Sequence, residues 1–514
     1  SIHVGLQAPD SVVRRLMATP DYRDAVETQP YQPGSVLHGG RRRESLEAFT
    51  RVLRENGHAF GSVRLESSID SLRNLAMLDF QLIPGPFVRV GEIQVSGNAS
   101  VSQAYIIRQS GIENGEPFRL SNLERARETL ASHPLVEGSA IEVSESSSGQ
   151  AVDLRIVVRE RPLRSIEVTG GVGTEDILRI RSVWQHRNVN GRAHLVSAAA
   201  RVSFIEQQLS GEYFIPYVFN NRSSYVFTPF VEHVFGPRKA YEIFRGGFRH
   251  SVIHRASAAF NSTFTHEISR NQQLDGRREI RLPDSLRNYN VSAFSVTANY
   301  SQGIGEGQGW EAAALAEISS PFGLTPYRYF KARANLSRYA SLDSRHSVSA
   351  RIQAGGIVQV DGDSLPPNIR FYTGGTQTVR GWGRQVLGPK RAVFVADSVL
   401  GPQFDRYVPL GGRMVFAASV EARRDLTGLR VADLGAAAFI DAGQVWNSFD
   451  DLKRRPVRFA LGFGIRYRSP IGPVQLDLAW KVNPSDQDLN RYQGVDYGSP
   501  WNRFGLHLRI GGVR

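Results

Sequence analysis

The sequence predicts a membrane β-barrel that follows two small α+β modules, and three observations predict it. From about residue 162 to the C-terminus, strand-like alternation of apolar and polar residues dominates, whereas before it short helical patterns alternate with short strands. A helical segment and the turn after it recur in the N-terminal part at a constant offset of 77 residues. A long glycine-rich loop, FYTGGTQTVRGWGRQVLGPK from Phe371 to Lys390, interrupts the strand-like region and carries Arg380 among residues that permit unusual backbone conformations.

The N-terminal elements follow from local signals. Val90 to Ser96 reads as a leading strand and Ser100 to Arg108 as a helix. Ser121 to Glu124 has the form of a capping box ahead of a helix in which Leu123, Ala126 and Leu130 share a face, and Pro134 ends it. Strand-like Ile141 to Val143 and Val152 to Glu160 complete the order strand, helix, helix, strand, strand. The repeat aligns SLEAFTRVLRENGHAFGSV from Ser45 with NLERARETLASHPLVEGSA from Asn122. It pairs Leu46 with Leu123, Leu53 with Leu130, Glu47 with Glu124, and Gly61-Ser62 with Gly138-Ser139. An opening strand for the first copy is expected at Ile2 to Leu6, followed by a longer and looser stretch from Gln29 to Gly40.

Composition leaves the class wider. No apolar run approaches the roughly 18 residues that a membrane helix needs. Alternating strands spread their hydrophobicity over every second position, so a mean hydropathy of -0.28 fits a barrel as well as a soluble protein. The absence of cysteine excludes disulfides and thiolate metal sites. Ser1 is not followed by a charged segment and an apolar stretch, so the expectation is a signal peptide removed, truncated or never present. The net charge of +13 invites a nucleic-acid reading, but the basic residues are scattered, and only Arg41, Arg42 and Arg43 cluster, ahead of a predicted helix. No nucleic-acid partner is predicted; anionic lipid head groups and lipopolysaccharide are the expected counter-charges. Catalytic signatures are missing as well. No HExxH or GxSxG occurs, and GIGEGQG at Gly303 to Gly309 lacks the lysine and helix of a phosphate loop. The expectation is a protein that is not an enzyme and needs no cofactor.

Within the strand-like region the alternation is explicit. Val474, Leu476, Leu478 and Trp480 share one face against Gln475, Asp477 and Lys481, and Phe504, Leu506, Leu508 and Ile510 share one against His507 and Arg509. One face meets lipid and the other the lumen. Tyr213, Tyr217, Tyr225 and Trp480 suit interfacial aromatic girdles.

Three runs carry a resemblance: PPNIRFYTGGTQTVRGWGRQVLGPK (366–390), AAAFIDAGQVW (436–446) and ALGFGIRYRSPIGPVQLDLAW (460–480). Together, in order and spacing, they resemble the BamA/TamA superfamily of outer-membrane barrels, and the wording is most similar to the TamA branch. Trp382 stands where a tyrosine or phenylalanine is commoner. The resemblance implies about 16 antiparallel strands over residues 163–514, and two periplasmic POTRA-like domains over 1–87 and 88–162, the first altered or truncated. It implies a bacterial outer-membrane location. It also implies that the loop between strands eleven and twelve folds into the lumen, where Val379, Arg380, Gly381 and Trp382 form its motif and Arg380 meets Glu421 and Asp441. A lateral seam would join the first strand to the last, through Ile166, Val168, Gly170 and Gly171 on one side and Gly505, Leu506, Leu508, Ile510 and Gly511 on the other. Glycines there, with Gly173 and Gly512, should weaken cross-strand packing. The function implied is assembly of β-rich outer-membrane or secreted clients through that seam, with a TamB-like inner-membrane-anchored partner. The alternatives are a two-partner-secretion transporter, which passes an unfolded exoprotein through the lumen, and a passive pore.

Overall fold

A computed structural model describes residues 2–29, 31, 34, 36, 39–73, 75–146, 149–220, 222–274, 287–303, 308–319, 325–361, 365–395, 401–426, 434–470 and 472–511. Parts of the loose 29–40 segment, residues 304–307 of GIGEGQG, and Gly512 lie outside them. The chain forms two compact units, one of residues 1–163 with 187–193, the other of 164–186 with 194–514.

The N-terminal unit holds two sheets of the same design. In the first, β1 (Ile2–Leu6) runs parallel to β3 (Leu75–Ile83), and β2 (Ser62–Asp70) pairs antiparallel with β3 on its other side. In the second, β4 (Arg89–Ser96) runs parallel to β6 (Ala151–Glu160), and β5 (Val136–Glu145) pairs antiparallel with it. A parallel pair needs a crossover, and helices supply it. These are α1 (Asp10–Met17), α2 (Pro20–Thr28) and α3 (Gly39–Glu55) in the first module, and α4 (Gln103–Ser110) and α5 (Leu120–Ala131) in the second. The sequence repeat is visible in the packing. Leu53 and Leu130, its aligned pair, are both buried, the first with Phe49, Phe80 and Leu82 and the second with Leu123, Leu154 and Ile156.

Three local expectations need correction. Arg41–Arg43 lie inside α3 rather than ahead of it. Helix α4 starts only at Gln103, because Ser102 in extended conformation accepts the Tyr105 N–H and caps it. The capping box at Ser121 does not form: α5 begins at Leu120 after Arg119, which gives no side-chain cap. Glu55, the last residue of α3, takes that role instead, accepting the Ser121 N–H at 2.9 Å and the Ser121 hydroxyl. A carboxylate satisfies the same orphan donor as a serine and adds a charge favourable to the positive end of the helix. Glu124 is thereby released to pair with Arg51 of α3, so the two modules are joined helix to helix.

One buried histidine ties this unit to pH. His133 Nδ1 accepts the Leu135 N–H at 3.1 Å, which places the ring proton on Nε2, 3.1 Å from the Tyr105 hydroxyl. Burial pushes its pKa down to about 4. Since the folded value lies below the unfolded value of about 6.5, this stability is complete above about pH 6.5 and is lost as pH falls toward 4. At pH 5 the second module should have lost about 2 kcal/mol relative to neutral pH. Amide exchange over α5 and β5 of the full chain, corrected for the intrinsic rate, should report that loss, and His133→Leu should flatten the slope. An equal slope in both proteins would assign the pH response to another group.

The second unit is a closed barrel of 16 strands among the described residues. The first eleven are β7 (Arg164–Gly173), β8 (Ile177–Val189), β9 (His194–Ser203), β10 (Glu206–Ile215), β11 (Ser223–Phe235), β12 (Glu242–Arg255), β13 (Phe260–Gln273), β14 (Asn288–Gln302), β15 (Gly309–Ser319), β16 (Arg328–Ser341) and β17 (His346–Asp361). A long connection containing the hairpin β18 (Lys390–Val395) and β19 (Gln403–Pro409) follows. Then come β20 (Met414–Asp425), β21 (Leu434–Trp446), β22 (Arg458–Ser469) and β23 (Gly472–Lys481). After the small ribbon β24 (Arg491–Tyr492) and β25 (Val495–Asp496), β26 (Phe504–Ile510) closes the circle. The predicted alternation is realised. On β23, Asp477, Ala479 and Lys481 are buried in the interior, whereas Leu478 and Trp480 are exposed on the outer face. Interior charges are paired, as Arg245 with Glu232 at 2.6 Å and Arg249 with Glu267 at 2.7 Å.

Candidate functional site: the lumen loop and the seam

The connection between the eleventh and twelfth barrel strands folds back against the inner wall, and Arg380 is its anchor. The guanidinium grips Asp441 of β21 bidentately, Nε to Oδ2 at 2.7 Å and Nη2 to Oδ1 at 2.8 Å, while the Arg380 N–H donates to the same carboxylate at 2.9 Å. Its Nη1 donates to Glu421 of β20. The planar fork matches a carboxylate, which is why an arginine serves here where a lysine would not. The ring of Phe439 lies 3.3 Å from the guanidinium carbon. Arg380, Glu421 and Asp441 are 6%, 6% and 0% exposed, so these charges are held by one another rather than by water.

The cluster extends beyond the three predicted members. Asp477 of β23 lies 3.6 Å from Arg380, and Arg466 of β22 bridges Asp477 at 2.6 Å and Glu421 at 3.1 Å. Ser419 donates to Asp441 at 2.7 Å. Both Arg466 and Asp477 fall inside the 460–480 run; the signal that could have found them is their inward parity, since Asp477 faces Gly464 across the β22–β23 ladder and Arg466 lies two residues beyond Gly464 on the same face. Val379 and Trp382 flank the arginine and pack with Leu387, Ala417 and Ala460. Gly381 has φ +95, and a Cβ on Gly505 of β26 would stand 2.6 Å from the Gly381 Cα. Side chains are therefore excluded where the loop crosses the last strand.

That contact gives one of the seam glycines a further role. Gly505 makes room for the loop, and a Cβ on Gly170 would meet only the Arg179 carbonyl of β8, at 3.8 Å. Among the described residues, β7 and β26 share two residue pairs, Gly173 with Arg509 and Val172 with Ile510. Fourteen other barrel joints have from seven pairs, at β23–β26, to fourteen, at β16–β17. Ile166 and Val168 lie on β7 before this short ladder and are exposed, as is Leu506 on β26. Gly171 sits where a Cβ would meet the Ile510 carbonyl at 2.8 Å, and Gly511, at φ +83, ends the last strand. The Leu508 carbonyl accepts the Thr174 N–H at 3.0 Å just past the ladder.

Comparison with known proteins fits this geometry. The model of the Omp85 superfamily domain matches residues 188–511, and that of the FtsQ-type POTRA domain matches 88–143. The chain belongs to the Omp85 superfamily. Its similarity to the outer membrane protein assembly factor BamA of Neisseria meningitidis serogroup B is 23% identity, covering 87% of this chain and 62% of that protein. For BamA of Nitratidesulfovibrio vulgaris the identity is 19%, over 83% and 53% of the two chains. The chain thus spans about three fifths of the length of the first of these relatives. Among solved structures, BamA from Haemophilus ducreyi lacking POTRA domains 1–3 aligns over 100% of this Omp85 chain and 99% of its own, with TM-score 0.71 at 17% identity. CdiB from Acinetobacter baumannii aligns over 99% and 89%, with TM-score 0.52 at 11% identity. The expected superfamily, barrel and location hold: this Omp85 protein is an outer-membrane barrel with periplasmic POTRA structure.

Proposed function

We propose that this chain is an assembly factor that folds β-rich clients into the outer membrane through the β7–β26 seam. The observation that carries the reading is the β7–β26 joint, which has two residue pairs among the described residues where fourteen other joints have seven or more. In hydrocarbon an unpaired backbone donor or acceptor costs several kcal/mol, so a parted seam is a strong template for an incoming strand. Client folding and burial supply the driving force, and neither a nucleotide nor a metal enters the scheme. The similarity to BamA proteins supports the assembly role. The TamA-like wording of the 366–390 and 460–480 runs supports a TamB-like partner as part of the same proposal.

The test is reconstitution of the full chain in liposomes with an unfolded eight-stranded outer-membrane protein. The expected result is faster appearance of the heat-resistant, membrane-inserted client than in empty liposomes. No acceleration, together with passage of an unfolded exoprotein to the far side, would replace the seam route by the lumen route of a two-partner transporter. That alternative draws on the lumen cavity of about 750 Å³, lined by Arg181, Arg333 and Arg384 among others.

A further inference from the structure

Two further contacts of the lumen loop with the barrel lie at the seam. Glu175, two residues beyond the end of β7, accepts the Thr376 N–H at 2.6 Å. His507, inward on β26 and 5% exposed, accepts the Gly381 N–H on Nε2 at 3.0 Å. With Nε2 as acceptor, the neutral ring carries its proton on Nδ1, which lies 3.9 Å from the Glu175 carboxylate. A stretch of loop from Thr376 to Gly381 therefore bridges the first strand's edge and the last strand. The bridge is built to fit: Gly375 has φ +107, and a Cβ there would stand 2.4 Å from the Glu175 Oε1. Arg380, inside this stretch, is held by β20 and β21 on the fully paired wall.

We propose that Glu175 and His507 are positioning residues that fasten the lumen loop across the seam, so that β7 and β26 part only when the loop's backbone leaves them. The inference rests on the seam being the working joint, as proposed above. Among the described residues the seam's own bonds are two ladder pairs, the Thr174 contacts with Leu508, and Arg179 of β8 reaching the Ile510 and Gly511 carbonyls at 3.4 and 3.3 Å. Two bonds from the loop, one buried and one part-buried to a carboxylate, are a large addition to so short a set. Arg380 fixes where the loop sits, and the two seam residues make that position a condition of closure.

The experiment is amide exchange on the full chain in lipid nanodiscs, without client, following residues 172–174 and 508–511 against 474–480 as an internal control. Glu175→Leu and His507→Leu should each speed exchange at the seam about fivefold and leave the control segment unchanged. Glu175→Gln and His507→Gln keep an acceptor and should stay within about twofold of the parent. This rescue separates positioning from bulk disruption of the wall. If the leucine variants do not reach a folded barrel, Glu175→Ala and His507→Ala remove the acceptors without added bulk and are judged by the same criterion. Parental exchange at the seam in a folded leucine or alanine variant overturns the proposal. Because no client is present, the outcome is independent of the assembly reading. Seam exchange that rises while client folding is unaffected would retire the seam route and leave the fastening in place.

Discussion

Replacing Arg380 by alanine is expected to cost the barrel about 3–5 kcal/mol, because it leaves Asp441 and Glu421 buried without the cation that both contact. Asp441 suffers most. It is fully buried, and without Arg380 it keeps the Ser419 hydroxyl but loses both guanidinium contacts. Glu421 still faces Arg466 and Arg423, so the loss should be uneven across the two strands. The measurement is the temperature at which the folded, fast-migrating barrel converts to the slow unfolded form on a gel, read alongside client assembly. Arg380→Lys keeps the charge but not the fork, and should fall between wild type and alanine. An alanine variant with unchanged conversion temperature and normal assembly would make the cluster an incidental set of lumen charges.

The second large effect is an on–off one. Val172 and Ile510 are opposite one another in the seam ladder, and antiparallel partners lie within disulfide reach at about 4.5–5.5 Å between Cα atoms. The native chain has no cysteine, so Val172→Cys with Ile510→Cys gives a single defined cross-link. Oxidised, the variant should lose client assembly almost completely, and reduction should restore it. Each single-cysteine variant should work throughout. Full assembly by the oxidised form would show that parting of β7 from β26 is not on the route.

Much of this architecture could be read in the sequence because its signals are local or periodic. Alternation on β23 and β26 gave the inward and outward faces, and the offset of 77 residues aligned two helices whose leucines occupy equivalent core positions. The Arg380 cluster was reached through residue chemistry and the family motif. What escaped depends on partners distant in the chain. A serine followed three residues later by glutamate has the form of a cap, but no local rule announces that Glu55, 66 residues earlier, reaches the helix start first. Nor does any local pattern show that the loop lies against Gly505. Glu175 and His507 belong to no motif, and they meet the loop only because the strands' ends and the loop's fold converge.

A closed ring of strands transmits sideways tension equally through all its joints, like links in series. Among the described residues, fourteen of the joints are ladders of seven pairs or more, and the β7–β26 joint has two. Stretch imposed on the circumference, as by a thinned bilayer, therefore collects first as displacement at the shortest of these ladders. The barrel needs no hinge or signal at the point of loading: its unequal stiffness already determines where deformation goes.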